Sequence, residues 1–420
     1  MLTTNLVTMT SPAPDTTPRP ANPVLDYETK PVKQHDRGIP SLDGIRAVSI
    51  VIVLLSHAFT EAIPGGFGVV VFFFLSGYLI TSLLRIEQEK KGSVSLVKFY
   101  TRRALRIFPN SYLVLLVSFA LASMGLIWAF DPAGTGVGTT WTAFGFHSLY
   151  LNNYYQIFWN NAHAPHGSGV YWSLAIEEHF YLLFPALFIV LHRLFKSNGV
   201  RVGIMLAIAV ASFAWRYYAY HNFAWLFGYD DPAKLAEVAK LLGKTELGPL
   251  HELAHSYCYR ATECRLDAIM YGCILAMWGN PYLDKKWLSD RFWMFVAMPI
   301  ALAVIAASML YREPAFRETW RFTIQSVALF PIFIAAVRCH SHPMFAWLNW
   351  TWVKFIGVLS YSLYLVHLMV IFNLRWWFDG TALDHNLYTG SIGIAISFVI
   401  AIAMYWGLEK PLQGLRRKLH

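Results

Sequence analysis

Apolar runs of about 18–22 residues recur along this chain, and a bilayer core of about 30 Å takes roughly 20 helical residues to cross. That recurrence decides the fold class. In lipid every backbone N–H and C=O must be paired within its own segment, so such a chain folds as a helix bundle. Spanning helices are predicted at 44–61, 67–85, 107–129, 172–192, 202–220, 263–279, 292–310, 321–338, 352–374 and 389–408. The stretch 141–159 is also apolar, but Gly145, His147, Asn152 and Asn153 interrupt it. It reads as an interfacial or re-entrant segment. Composition agrees: 56% of residues are hydrophobic and only 14% charged, poor in charge for a soluble protein. The expected fold is an all-α, polytopic transmembrane bundle of about ten helices, with no internal repeat.

Charge sets the orientation. The net charge of +9 is read as membrane orientation, with no nucleic-acid partner expected. Placing both termini in the cytoplasm puts 23 of the 34 Lys and Arg residues on inner segments, and the loops 60–66 and 130–171 then carry no Lys or Arg on the outer side. An eleventh span at 141–159 would invert every later loop. Residues 1–40 are polar and rich in Thr and Pro, a disordered cytoplasmic tail with no signal peptide. Residues 41–412 form the membrane domain, and 413–420 a basic cytoplasmic end. The longest outer loop, about 217–262, includes a helix-like piece at 232–242. Cys258, Cys264, Cys273 and Cys339 follow no zinc spacing, and no metal is expected. Cys258 and Cys264 would pair only on an oxidising side.

The first helix carries two residues unsuited to lipid. Asp43 and Gly44 sit where a cap belongs. Arg46 and His57 are eleven residues apart. Eleven steps return a helix to within about 20° of its starting face, about 16 Å further along its axis. One stripe thus bears a fixed cation near the inner end and an imidazole in the outer half. Ionisable residues within a span are functional candidates by default. The alternative is a snorkelling arginine and an interhelical hydrogen bond.

Four further groups stand out. Arg103 and Arg106 share a face at the inner end of the third helix, where two guanidiniums can grip a phosphate, although positive-inside bias also places arginine there. Glu177 and Glu178 open the fourth helix. They point about 100° apart, so one is expected to face the interior. Tyr361, Tyr364 and His367 form a polar stripe on the ninth helix. Arg265 and Asp267, within the sixth, read as a structural ion-pair element. By depth, His57, one of the glutamates and His367 belong to the outer half, and the three arginines to the inner side.

Together these motifs resemble the family 3 membrane acyltransferases, the O-antigen and exopolysaccharide O-acetyltransferases. The residues concerned are Leu42-Asp43-Gly44-Ile45-Arg46, the Arg46-x10-His57 spacing, Phe73 to Tyr78, Arg103-x-x-Arg106-Ile107-Phe108-Pro109, Trp172-Ser173-Leu174 with Glu177-Glu178 and Phe180-Tyr181, Ser360-Tyr361-x-x-Tyr364-x-x-His367, and Glu409-x-Pro411. They cover about residues 41–412 in the family's order. The resemblance implies ten helices in a bacterial inner (plasma) membrane. It implies acyl-CoA, with acetyl-CoA favoured, as donor. The acceptor is a hydroxyl of a lipopolysaccharide sugar, an exopolysaccharide, a glycolipid or a small metabolite. His57 then looks like the catalytic histidine with Arg46 its companion, Arg103 and Arg106 like the coenzyme A clamp, and Glu177 like the motif acid, with Glu178 and His367 beside it. Some relatives carry a fused C-terminal hydrolase-like domain, which is not expected within these 420 residues.

The chemistry is consistent with that reading. A thioester yields to a hydroxyl once a base takes its proton, and an imidazole suits the role. A covalent acyl-enzyme relay stays open. The competing class is a transporter or flippase whose polar stripe lines a saccharide or proton path.

Overall fold

The computed structural model describes residues 39–417 except 61, 132–133, 135, 230, 242–248, 382 and 384. The expected tail thus lies almost wholly outside the described residues, as do the last three residues of the basic end. Each of the ten predicted segments is helical. They are α1 (Leu42–Ala58), α2 (Gly65–Lys91), α3 (Leu96–Ser123), α4 (Tyr171–Leu194), α5 (Asn198–His221), α6 (Thr262–Met277), α7 (Met298–Leu310), α8 (Trp320–Arg338), α9 (Thr351–Phe378) and α10 (Asn386–Met404). A short helical turn and a π-turn lead into α7, and a second π-turn, Tyr405–Glu409, follows α10. Among the described residues β-pairing is limited to one bridge, Ala129 to Pro165.

Eight of these helical segments are long and apolar enough to cross a membrane. The other two, α1 and α6, have 17 and 16 residues. At 1.5 Å per residue they reach about 25 Å. Nearly all of α6 is buried, so its surroundings are other helices: α2, α5 and α8. Helix α1 packs on α9 and α2, and α9 on α10.

Small residues allow close helix crossings. A Cβ at Gly77 of α2 would lie 2.0 Å from the Ile269 carbonyl oxygen, and one at Gly272 of α6 would lie 2.0 Å from that of Phe74. The two backbones touch, as at helix contacts in lipid generally. Gly77→Val should therefore force α2 and α6 apart. Overpacking costs about 1–3 kcal/mol where side chains can shift, and more where backbone is the obstacle. The thermal midpoint in detergent should fall sharply, whereas Gly145→Ala, with nothing within 4 Å of the new Cβ, should hold or raise it.

Two expectations need correction. The cap of α1 is Ser41, not Asp43 or Gly44; it adopts φ 64°, and its hydroxyl donates to the Ala336 carbonyl at 2.7 Å. Gly44 serves close approach instead, since a Cβ there would lie 2.2 Å from the Leu348 carbonyl oxygen. The motif at 265–267 does not pair internally. Asp267 bonds Arg216 at 2.9 Å, with both side chains fully buried, and accepts a second bond from the Thr323 hydroxyl at 2.5 Å. Residues two apart point about 200° round a helix, so each must look elsewhere. Cys258 and Cys264 are free, buried thiols. The 141–159 stretch forms two eight-residue helices, Trp141–Ser148 and Asn152–Trp159. At about 12 Å each they are too short to span.

Candidate active site

A cavity of about 90 Å³ lies between α1, α2, α3, α4 and α9. Its charged lining is Arg46, Arg103, Arg106, Glu177 and Glu178, with Ser76, Ser173, Tyr181, Ser360, Tyr361 and Tyr364 as polar neighbours. Arg103 and Arg106 face it from one side of α3, as their three-residue spacing requires. The Arg103 guanidinium lies over the rings of Tyr181, 5.4 Å, and Phe99, 5.8 Å. Among the described residues neither Arg103 nor Arg106 is ion-paired, while Arg46 is held by Asp43 at 3.0 Å. The Tyr181 hydroxyl donates to Glu177 at 2.9 Å and lies 3.0 Å from the Ser76 hydroxyl.

This placement corrects the depth grouping. Both glutamates line the cavity, and they join the arginines rather than the histidines. Glu177 lies in electrostatic range of Arg46 and Arg106, and Glu178 of Arg103. The cavity wraps round α4 widely enough to admit two side chains about 100° apart. Three guanidiniums face two carboxylates there.

The histidines form a separate pair. His57 Nδ1 lies 2.9 Å from His367 Nε2, with the rings stacked at 5.1 Å between centroids. His367 Nδ1 lies 3.0 Å from the Leu363 carbonyl oxygen and 2.9 Å from that of Tyr364. Carbonyls only accept, so His367 Nδ1 carries the proton and its Nε2 is the acceptor. His57 Nδ1 must then donate, and His57 Nε2 keeps a free lone pair. The depth grouping puts both histidines in the outer half, but nothing in the sequence pattern signals their direct contact across 310 residues.

Neither histidine lines the cavity. Helix α9 connects the two places: Tyr364 forms part of the cavity wall, and His367 is one turn on. The Tyr364 ring is 5.7 Å from His367 and 6.4 Å from Phe72, and its hydroxyl lies 2.6 Å from that of Ser173. Arg375 closes the far end of α1, donating to the carbonyls of His57 at 3.0 Å and Ala58 at 2.8 Å. Above the pair a loop sits hard on α9. Gly167, at φ 87°, approaches so closely that a Cβ would lie 2.5 Å from Met369 Cα. The neighbouring His166 is packed among Trp128, Phe130 and Phe372, and burial pushes its imidazole down to about 4. It stays neutral near pH 7.

A bundle with this cavity, a two-arginine face and a histidine pair has the parts of a membrane acyltransferase. The chain belongs to the family 3 acyltransferases, whose acyltransferase domain matches residues 39–406. It is similar to the O-acetyltransferase OatA of Staphylococcus aureus, 27% identical over 390 residues, covering 90% of this chain and 57% of the relative. It is also similar to the peptidoglycan O-acetyltransferase OatA of Listeria monocytogenes, 24% identical over 387 residues, covering 89% and 56%. The chain thus spans a little over half the length of these relatives. No solved structure matches.

Proposed function

We propose that this protein is a multi-pass O-acyltransferase of a bacterial inner membrane. It moves an acyl group, acetyl in the first instance, from cytoplasmic acyl-CoA to a hydroxyl of a cell-envelope or secreted carbohydrate. Ten crossings with both ends in the cytoplasm suit the charge distribution. Arg103 and Arg106 hold donor phosphate, neither being ion-paired among the described residues. The pantetheine arm runs from there past Tyr364 and Phe72 toward His57. His57 Nε2 takes the acceptor proton as the hydroxyl oxygen attacks the thioester carbonyl. The C–S bond breaks and coenzyme A leaves as thiolate. His367 positions His57 by fixing its tautomer, and Arg46 and Glu177 order the donor cavity.

The single observation behind this reading is that α9 joins the arginine-lined cavity to a histidine whose free nitrogen is defined. The test is donor binding and turnover. Coenzyme A at about one hundred times its Kd should stabilise the purified protein by about 2.7 kcal/mol. Acetyl-CoA should be consumed, with thiol release, only when saccharide is present. A protein indifferent to coenzyme A would leave the polar stripe to the transport reading.

A further inference from the structure

Arg265 is fully buried, and its Nε, Nη1 and Nη2 have no hydrogen-bond partner among the described residues. A guanidinium stays charged and offers five N–H donors, so leaving all of them unmatched in an interior is among the costliest arrangements a protein can adopt. Its faces are covered instead. The guanidinium carbon lies 3.7 Å from the ring centroid of Phe322, 5.3 Å from Tyr259, 5.6 Å from Phe73 and 6.0 Å from Trp172. Stacking satisfies the faces of a guanidinium and leaves its N–H edge for a planar or tetrahedral oxyanion.

Carboxylates near it in sequence and space are already engaged. Asp267 is held by Arg216 and Thr323. Glu263 accepts from Tyr154 at 2.6 Å and Tyr257 at 2.5 Å. Glu318 Oε2 lies 2.6 Å from His255 Nδ1, an ion pair only when that imidazole is protonated, and makes no hydrogen bond among the described residues. Arg321 adds positive charge in electrostatic range, and Arg265 stands in the first turns of α6, at the positive end of the helix dipole. Tyr259 is the one cage ring that is partly exposed. The cage also adjoins the reacting end of the bundle. Trp172 precedes Ser173, whose hydroxyl meets Tyr364, and Tyr364 packs on His367.

We infer that Arg265 is an anion subsite for the acceptor: its N–H edge receives a phosphate or carboxylate carried by the saccharide acylated at His57. Assigning that anion to the acceptor rests on the acyltransferase reading; the subsite itself does not.

The test uses the full chain in detergent and phosphate-free buffer, with saturating coenzyme A so that Arg103 and Arg106 are occupied. The probes are glucose 1-phosphate, glucuronate and neutral glucose. At least one anionic sugar should raise the unfolding midpoint while glucose does not, and which one does so separates phosphate from carboxylate. Arg265→Met should erase that shift, keep protection by coenzyme A, and raise the midpoint of the unliganded protein by removing an unpaired buried charge. Should Arg265→Met not fold, Arg265→Lys, which keeps charge but loses the fork, should need at least tenfold more sugar for the same shift. No shift with either anionic sugar, or a shift unchanged in the variant, overturns the subsite. If coenzyme A fails to protect, the donor reading falls instead, and the sugar arm is run on Arg103→Gln/Arg106→Gln with the same criteria.

Discussion

Replacing His57 by alanine is expected to abolish acyl transfer while the bundle stays folded. General-base catalysis is worth about 10²–10⁴-fold, so a loss below tenfold would assign the proton to another group. The variant leaves His367 Nε2 without the donor it now has at 2.9 Å. An unmatched buried acceptor costs about 1–3 kcal/mol, a modest fall in thermal midpoint. Protection by coenzyme A should persist, which separates lost chemistry from lost binding. The partner gives an internal control. His367→Gln keeps an amide oxygen able to accept from His57 Nδ1, and should retain more activity than His367→Leu. Equal loss in both would mean that the His57 tautomer does not matter.

Neutralising Arg103 and Arg106 together is the second large effect. Charge-assisted contacts contribute about 1.5–3 kcal/mol each, so two removed contacts predict roughly 10²-fold weaker donor binding or more. Neither guanidinium is ion-paired within the described residues, so Arg103→Gln/Arg106→Gln leaves no ion-paired carboxylate stranded and the fold should survive. The change should appear in KM for acyl-CoA and in the loss of coenzyme A protection. An unchanged KM in a folded double variant would return both residues to orientation in the membrane alone.

Much of the bundle was readable in the chain because lipid imposes a local rule. Each segment must satisfy its own backbone, so run length and polarity mark helices without knowledge of their neighbours. The same rule set the 141–159 stretch apart, although its two short helices part at Leu149–Leu151, with Tyr150 at φ 54°, and not at Gly145, Asn152 or Asn153. What a segment touches is a long-range matter. Depth sets one of Glu177 and Glu178 beside His57, yet the cavity between α3 and α4 draws both to the arginines. Asp267 finds Arg216, 51 residues away, rather than Arg265. The Arg46-x10-His57 stripe was legible as one face of one helix. That its two ends serve different places, Arg46 in the cavity wall and His57 on His367, depends on how Tyr364 and Phe72 pack between them.

The backbone contacts of Gly77 with Ile269 and of Gly272 with Phe74 have a bearing on acceptor choice. Ser76, one residue before Gly77, lines the arginine-lined cavity; Phe73, a turn earlier, walls both that cavity and the Arg265 cage. Arg265 itself rides on α6, two turns before Gly272. With α2 and α6 touching through main chain, neither place can drift relative to the other. The spacing between anion and thioester is then a fixed gauge. A saccharide whose negative group sits one sugar too near or too far from its hydroxyl would be refused by length, even where every group it offers is chemically acceptable.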